Sequence, residues 1–299
     1  MAMHHSRGYA LFVVLVILFV MGFIALDNSR YLTDSIKWQA HLHHKRLDLD
    51  WQLESAINCL AIHTVSLHTL PTAQCVQDDN TNLLVEAQET KNQFKLQADQ
   101  GSIASSALMK LGEMEHDVAI ASNHALPQGV FGSSILVEPS VVSHFFGYTD
   151  LNFLKPRWGE EIEVTTKQAC GDYLLLKSAN GGRSFVISGH CSISAYHWDQ
   201  LTVLSSNEPF SLLFVDGDLA FSGSQTLQGI ITIWHSEEES YEVSIVANPK
   251  IEGGLLLKLS APILLEQGGL EVVENEAHLM ASRFRFAKRE WLKGSWRDF

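Results

Sequence analysis

Four cysteines, Cys59, Cys75, Cys170 and Cys191, are the residues whose type and spacing most directly suggest chemistry. None forms a C-x-x-C, so zinc-finger, zinc-ribbon and thioredoxin chemistry is poorly supported. An even number in two local pairs suits two disulfides, Cys59–Cys75 and Cys170–Cys191, made in an oxidising compartment. His41, His43 and His44 form the densest histidine group. On a helix His41 and His44 share a face, and Asp48 is the best further ligand. No thiolate or carboxylate set completes a metal shell, so a solvated helix face is expected. Glu160-Glu161 and Glu237-Glu238-Glu239 are charge runs without a partner motif, and Asp216-Gly217-Asp218 alone has too few ligands for a calcium loop. G-x-S-x-G, H-E-x-x-H, P-loop and G-x-G-x-x-G patterns are absent. No residue is assigned a catalytic role, and no cofactor or metal is expected.

The second cysteine pair suggests its own scaffold. Between Cys170 and Cys191 lies Asn180-Gly181, the preferred two-residue type I′ hairpin turn. With Ala179 facing Gly182, counting outward places Cys170 opposite Cys191 in a non-hydrogen-bonded pair, where a cross-strand disulfide fits. A β-hairpin stapled near its open end is the expectation.

The segment Tyr9 to Leu26, YALFVVLVILFVMGFIAL, carries no charge and no strongly polar group. Its eighteen residues would span roughly 27 Å as a helix, close to the hydrocarbon thickness of a bilayer. A core helix would show a polar face, and this segment has none. His4-His5-Ser6-Arg7 precedes it and Asp27-Asn28-Ser29 follows, which agrees with Arg7 inside and the bulk of the chain outside. A cleaved secretory signal would need small residues at −3 and −1, and Ile24-Ala25-Leu26-Asp27 matches poorly. A plain signal anchor is a second reading.

A third reading rests on Gly8. A short basic leader ending in glycine and followed directly by an apolar helix resembles the type IV prepilin family. The resemblance covers about the first 26 residues and is carried by Gly8, Tyr9 and the apolar run. It implies cleavage by a prepilin peptidase between Gly8 and Tyr9, a terminal amine that is usually methylated, and a helix that stays on the mature protein. It also implies partners: other pilin-like subunits packed through that helix, in the inner membrane or in a surface filament. The family usually has Glu at the fifth mature position, and here that position is Val13. Buried among apolar helices, that carboxylate pairs with a neighbour's terminal amine. Val13 cannot, as in some minor pilins and pseudopilins.

The elements that would follow such an anchor can be read in outline. Residues 27 to about 70 contain no Pro or Gly, and Leu49, Leu53, Ile57 and Leu60 recur at helical spacing. This suits one long helix continuing from the anchor into a head, with Trp38 and Trp51 packing on a sheet. Residues 82–85 and 94–97 read as strands, Ile103 to Met114 as a short helix, and 118–120 as strand again. Pro127-Gln128-Gly129 marks a turn. Residues 130 to 275 are β-rich. Gly217, Gly223 and Gly229 are six residues apart, so DGDLAF-SGSQTL-QGIITI looks like three short β-helix rungs, with more at Gly253-Gly254 and Gly268-Gly269. An antiparallel meander with glycine turns is the competing reading. In the basic tail from Ser282, Phe284 and Phe286 alternate as in an edge strand.

The expected fold is therefore α+β: leader 1–8, transmembrane or assembly helix 9–26, helix 27–70, and a β-rich head 71–299. The chain has 299 residues, 46% hydrophobic and 18% charged, with net charge −13. That balance excludes a disordered protein and disfavours direct nucleic-acid binding. The expected function is a minor pilin-like subunit of an assembly system, not an enzyme, anchored in the inner membrane with its bulk periplasmic. A tip pseudopilin of a type II secretion system is the alternative within the class. A signal-anchored periplasmic β-rich protein that binds or cleaves polysaccharide is the alternative outside it. Exposed aromatic and carboxylate residues along a β-rung face would favour that one.

Overall fold

The structure is a computed structural model that describes residues 5–63, 75, 81–88, 92–100, 103–114, 117–164, 166, 169–236 and 239–292. Side chains of 5–13, 25, 27, 28, 30, 31, 63, 103 and 169 fall outside that description. The protein is α+β, and it divides into two compact units, Met1–Ser55 and Ala56–Phe299.

The first unit is built from helix α1 (His5–His63), whose last turns belong to the second. The absence of Pro and of interior Gly beyond Gly22 explains its length. Trp38 and Trp51, expected against a sheet, are exposed instead. Residues 64–70 of the expected helix lie outside the described residues.

In the second unit, Ala56, Ile57, Leu60 and Ala61 of α1 are buried at helical spacing. Strands β1 (Thr81–Ala87), β2 (Gln93–Gln100) and β3 (Ile103–Leu111) form an antiparallel meander. The helix expected over 103–114 is thus a strand. Ala107, Met109 and Leu111 are buried at alternate positions, a period of two. The paired Leu108–Leu111 spacing also matched a helix, and the neighbouring strand decided between them.

The chain then builds a solenoid of parallel strands from its far end. Short strands β4 (Ile120–Ser122), β5 (Val130–Gly132) and β6 (Ile135–Val137) come first. Helices α2 (Val141–Phe146) and α3 (Leu151–Trp158) lead to the near edge, β7 (Glu160–Glu163). After helix α4 (Ala169–Ala179) the coils run β8 (Ser184–Ser188), β9 (Cys191–Ile193), helix α5 (Ala195–Ser205), β10 (Phe210–Val215), β11 (Leu219–Gly223), β12 (Thr226–Trp234), β13 (Val243–Ala247), β14 (Lys250–Lys258), β15 (Leu264–Gly268) and β16 (Leu270–Glu274). Helix α6 (Glu276–Phe286) and β17 (Arg289–Trp291) close the described chain, β17 joining the antiparallel sheet beside β3.

The larger solenoid sheet has the order β5-β16-β14-β12-β10-β8-β7, with β4 on β14 and β6 on β4; the smaller is β15-β13-β11-β9. Every pairing in both is parallel. The parallel rungs replace the antiparallel meander. The six-residue glycine spacing is not the repeat, however. Paired residues give coils of 27 (Ser184 to Ser211), 19 (Phe210 to Gly229) and 24 residues (Thr226 to Lys250). Gly217 and Gly223 mark turns inside one coil, and such uneven coils leave no fixed period to read.

The core is a set of in-register ladders. Phe185, Leu212, Ile231, Leu255 and Ile120 are successive partners, as are Ile187, Phe214, Ile233 and Leu257. Facing them, Ile193, Phe221, Ile245 and Leu265 stack in the smaller sheet. Gly229 and Gly253 are partners with φ of +133° and +146°. A Cβ on Gly253 would lie 2.0 Å from the Gly229 carbonyl oxygen, so only glycine fits. The other face of the larger sheet, carrying Val186, Leu213 and Leu256, is also buried, and α2, α3 and α6 pack over it. Trp158 stacks on Phe286 at 4.1 Å and donates its Nε1–H to the Ser211 carbonyl at 2.9 Å.

Two local expectations are corrected here. Asn180-Gly181 is not a hairpin turn: it ends α4, where the Gly181 and Gly182 N–H groups donate to the Ser178 and Lys177 carbonyls. The Tyr173-Leu174-Leu175-Leu176 run fits either state, and helix won because Leu174 packs inward as a helical residue. Phe284 and Phe286 are likewise helical, in α6, where both are buried. Alternation misled because α6 is covered on most sides.

Candidate functional site

The cysteines pair as expected. Cys59–Cys75 has Cα atoms 5.4 Å apart and Cys170–Cys191 5.2 Å. The second bond joins helix α4 to strand β9, so the local spacing led to the right pair through the wrong scaffold. It ties α4 over the near end of the smaller sheet.

Gly8, Tyr9 and Val13 lie within the backbone of α1, and their side chains fall outside the described residues. From Val14 to Leu26 the described large apolar side chains are all exposed, between 45% for Val16 and 72% for Phe19. They are not gathered on one face. Among the described residues no helix is long and apolar enough to cross a membrane. Further along, His41, His43 and His44 are exposed, and His44 Nδ1 is 3.6 Å from Asp48 Oδ1. Among the described residues no group of three or more His, Cys, Asp or Glu is arranged to hold a metal ion.

Among the described residues the second unit carries two clefts that sequence reading did not locate. One, of ≈640 Å³, lies between the start of α3 and the ends of β10, β12 and β14, lined by Asp150, Lys155, Asp216, Trp234, Ser236 and Lys258 among others. Most of its charges serve the fold. Asp150 caps α3 by accepting the Asn152 N–H at 2.8 Å. Asp216, at φ +44°, accepts the Ser236 N–H at 2.6 Å. Lys155 bridges Glu161 at 3.1 Å, and Ser188 also donates to that carboxylate. The Ser188 and Lys155 bonds hold the Glu161 pKa below the usual carboxylate value. Lys258 sits over the Trp234 ring at 4.9 Å, and Trp234 is buried. The second cleft, ≈500 Å³, brings together Lys110, Glu113, Met114, Glu138, His144 and Glu290. His144 there lies 2.9 Å from Glu138 and 3.9 Å from Glu113.

A stacked corner of the solenoid gathers further polar groups. Asp218 accepts the Glu242 N–H and faces His190 Nδ1 at 3.2 Å. His235 is 1% exposed, and its Nδ1 faces Ser260 Oγ at 3.3 Å. Burial pushes its pKa down to about 4, against smaller opposing effects of Asp216, Gly217 and Asp218. That Ser260 oxygen already accepts the Tyr241 N–H at 2.8 Å. Tyr241 in turn donates to Glu239, which pushes the phenol up to about 12. Asp216, Asp218 and Ser260 of this corner are thus taken up by backbone N–H groups, and Glu239 by the Tyr241 hydroxyl. Glu237 and Glu238 of the expected acidic loop lie outside the described residues.

Comparison with known proteins returns no match. No family model, curated protein or solved structure is similar to this chain.

Proposed function

We propose that the chain is a minor type IV pilin-like subunit that acts in filament assembly or priming, its apolar amino-terminal helix serving as membrane anchor and packing element. The observation that carries this reading is the leader ending in Arg7-Gly8, followed by the uncharged run Tyr9–Leu26. The all-round exposure of Val14 to Leu26 supports it. An exposed helix with no polar face needs lipid or equivalent helices around it. Two disulfides in the second unit agree with a periplasmic head. In this reading the subunit adopts the long-helix-then-β-head organisation and is cut by a prepilin peptidase before Tyr9. A tip pseudopilin of a secretion system shares this logic.

The polysaccharide reading gains no support from the head. A glycan-binding rung face would be open, but the central strands β8, β10, β12 and β14 of the larger sheet are buried on both sides. The exposed aromatics of this unit, Phe131, Phe153, Tyr173, Tyr196 and Trp291, sit on separate elements and not along one rung face.

Terminal sequencing of the membrane-associated protein tests the proposal. It should begin at Tyr9, with methylation of the amine, and Gly8→Leu should block processing. A terminus retained at Met1, or one near Asp27, refutes it. Val13 adds a placement. Without the carboxylate that pairs with a neighbour's amine, this subunit suits a low-copy position at or near the tip. A ratio near one to one with the major subunit in sheared filaments would refute that placement.

A further inference from the structure

The two ends of the solenoid are finished differently. At the near end, edge strand β7 reads Glu-Glu-Ile-Glu, and Lys155 and Lys177 form salt bridges with Glu161 and Glu160. Helix α4 packs over β9, the edge of the smaller sheet. Charge on an edge strand and a covering helix are the usual means of blocking further pairing. At the far end, edge strands β5, β6 and β15 read Val-Phe-Gly, Ile-Leu-Val and Leu-Leu-Glu-Gln-Gly. They carry no Lys, and among the described residues no helix packs on them.

The core ladders stop there without a cap. Ile135 is the partner of Ile120, and Val137 that of Ser122, which follows Leu257. Ile120 is fully buried, whereas Ile135 is 47% and Val137 52% exposed. Each occupies the place of a further rung, and among the described residues no strand pairs beyond it. A solenoid whose last rung shows its core requires a covering element. The strands are short, three residues in β5 and in β6, which limits indiscriminate pairing but leaves the ladder open.

Charge states what covers it. The sequence has no Lys or Arg between Lys110 and Lys155, nor between Lys258 and Arg283. These two stretches build the far end, which carries Glu138, Glu266 and Glu274. Glu138 lies 2.9 Å from His144 and Glu274 accepts from the Ser134 hydroxyl at 2.7 Å, so the end keeps its net negative charge without any Lys or Arg of its own. We propose that the far end of the solenoid is a strand-addition site for an extended segment of another protein in which apolar residues alternate with Lys or Arg. The apolar side chains would cover Ile135 and Val137, the backbone would pair with the open edge, and the basic residues would meet the glutamates. This inference rests on the solenoid end alone and is independent of the pilin-like reading.

The test uses the full chain in detergent with both disulfides intact. The probe is a blocked, fluorescently labelled seven-residue peptide alternating lysine and valine, read by anisotropy and by amide exchange. Saturable binding is expected, with protection gained in 130–137, and about tenfold weaker binding of the same peptide with glutamate for lysine. Ile135→Glu and Val137→Glu should each weaken the lysine peptide by roughly tenfold, and both positions are exposed enough to tolerate the change. Three results would each overturn the proposal: equal binding of the two peptides, no binding at about 1 mM, or binding indifferent to both variants. So would concentration-dependent self-association abolished by Ile135→Glu, which would make the occupant a second copy of this chain.

Discussion

Removing either partner of the Arg283–Asp117 ion pair should unfold the second unit far more readily than removing both. Arg283 Nη2 lies 3.0 Å from Asp117 Oδ1, and both side chains are 0% exposed. The guanidinium also sits over the Phe145 ring at 4.5 Å. Burial pushes the Arg283 pKa down, and the Asp117 carboxylate opposes that shift. Arg283→Met leaves a buried carboxylate without its countercharge, and Asp117→Asn does the same to the guanidinium. Each should cost about 3–5 kcal/mol. For a unit of this size that lowers the melting temperature by roughly 10 °C. The double variant Asp117→Leu/Arg283→Met replaces the pair with apolar groups and should lie closer to the parent than either single variant. Denaturant and thermal unfolding followed by circular dichroism, with disulfides intact, measures all four proteins. Single variants costing less than about 1 kcal/mol, or a double variant costing the sum of the singles, would refute the reasoning.

Gly253→Ala should destabilise by at least about 3 kcal/mol, because its φ of +146° is joined to a 2.0 Å clash with backbone. Gly181→Ala, at φ +91° but in open space, should cost only about 1 kcal/mol; equal costs in unfolding experiments would contradict the stacking argument. Replacing Cys170 and Cys191 together by Ala should lose about 3 kcal/mol for a loop of 21 residues, and peptide mapping that joins Cys59 to Cys170 would show the pairing to be wrong. His235 is held neutral in the folded chain, with a pKa of about 4 against 6.5 when unfolded. The unfolded state therefore binds the proton first, and stability falls by up to roughly 3 kcal/mol as pH drops from 6.5 to 4. His235→Asn should flatten that limb of the stability–pH curve, and an unchanged slope would show that His235 does not set it.

Several features were legible in the residues because they depend on local pattern or on nearby partners. The apolar run Tyr9–Leu26, the uninterrupted helical spacing before His63, the strands at 82–85 and 94–97, and the two cysteine pairs belong here. The glycine-punctuated segment pointed to rungs, and Gly229 shows why glycine is needed there: a Cβ would lie 2.0 Å from the Phe210 carbonyl oxygen of the neighbouring strand. Other elements were decided by what packs on them. Residues 103–111 satisfy a helix and a strand, and pairing with β2 chose the strand. Phe284 and Phe286 alternate as in an edge strand, yet they lie in a helix because a layer over the larger sheet buries both. Asn180-Gly181 suits a hairpin or a helix end, and burial of Leu174 selected the helix.

The far end of the solenoid shows the same division most clearly. Its lack of Lys and Arg is written in the sequence, but in two stretches more than a hundred residues apart. Only the parallel pairing of β14 with β4, and of β16 with β5, brings them to one surface. Sequence by itself determined the disulfide partners and the α+β class, since these follow from spacing and propensity along a short length of chain. Tertiary structure alone decided the coil lengths, the buried Arg283–Asp117 pair and the open ladder at Ile135 and Val137, because each depends on contacts between residues that sequence distance keeps apart.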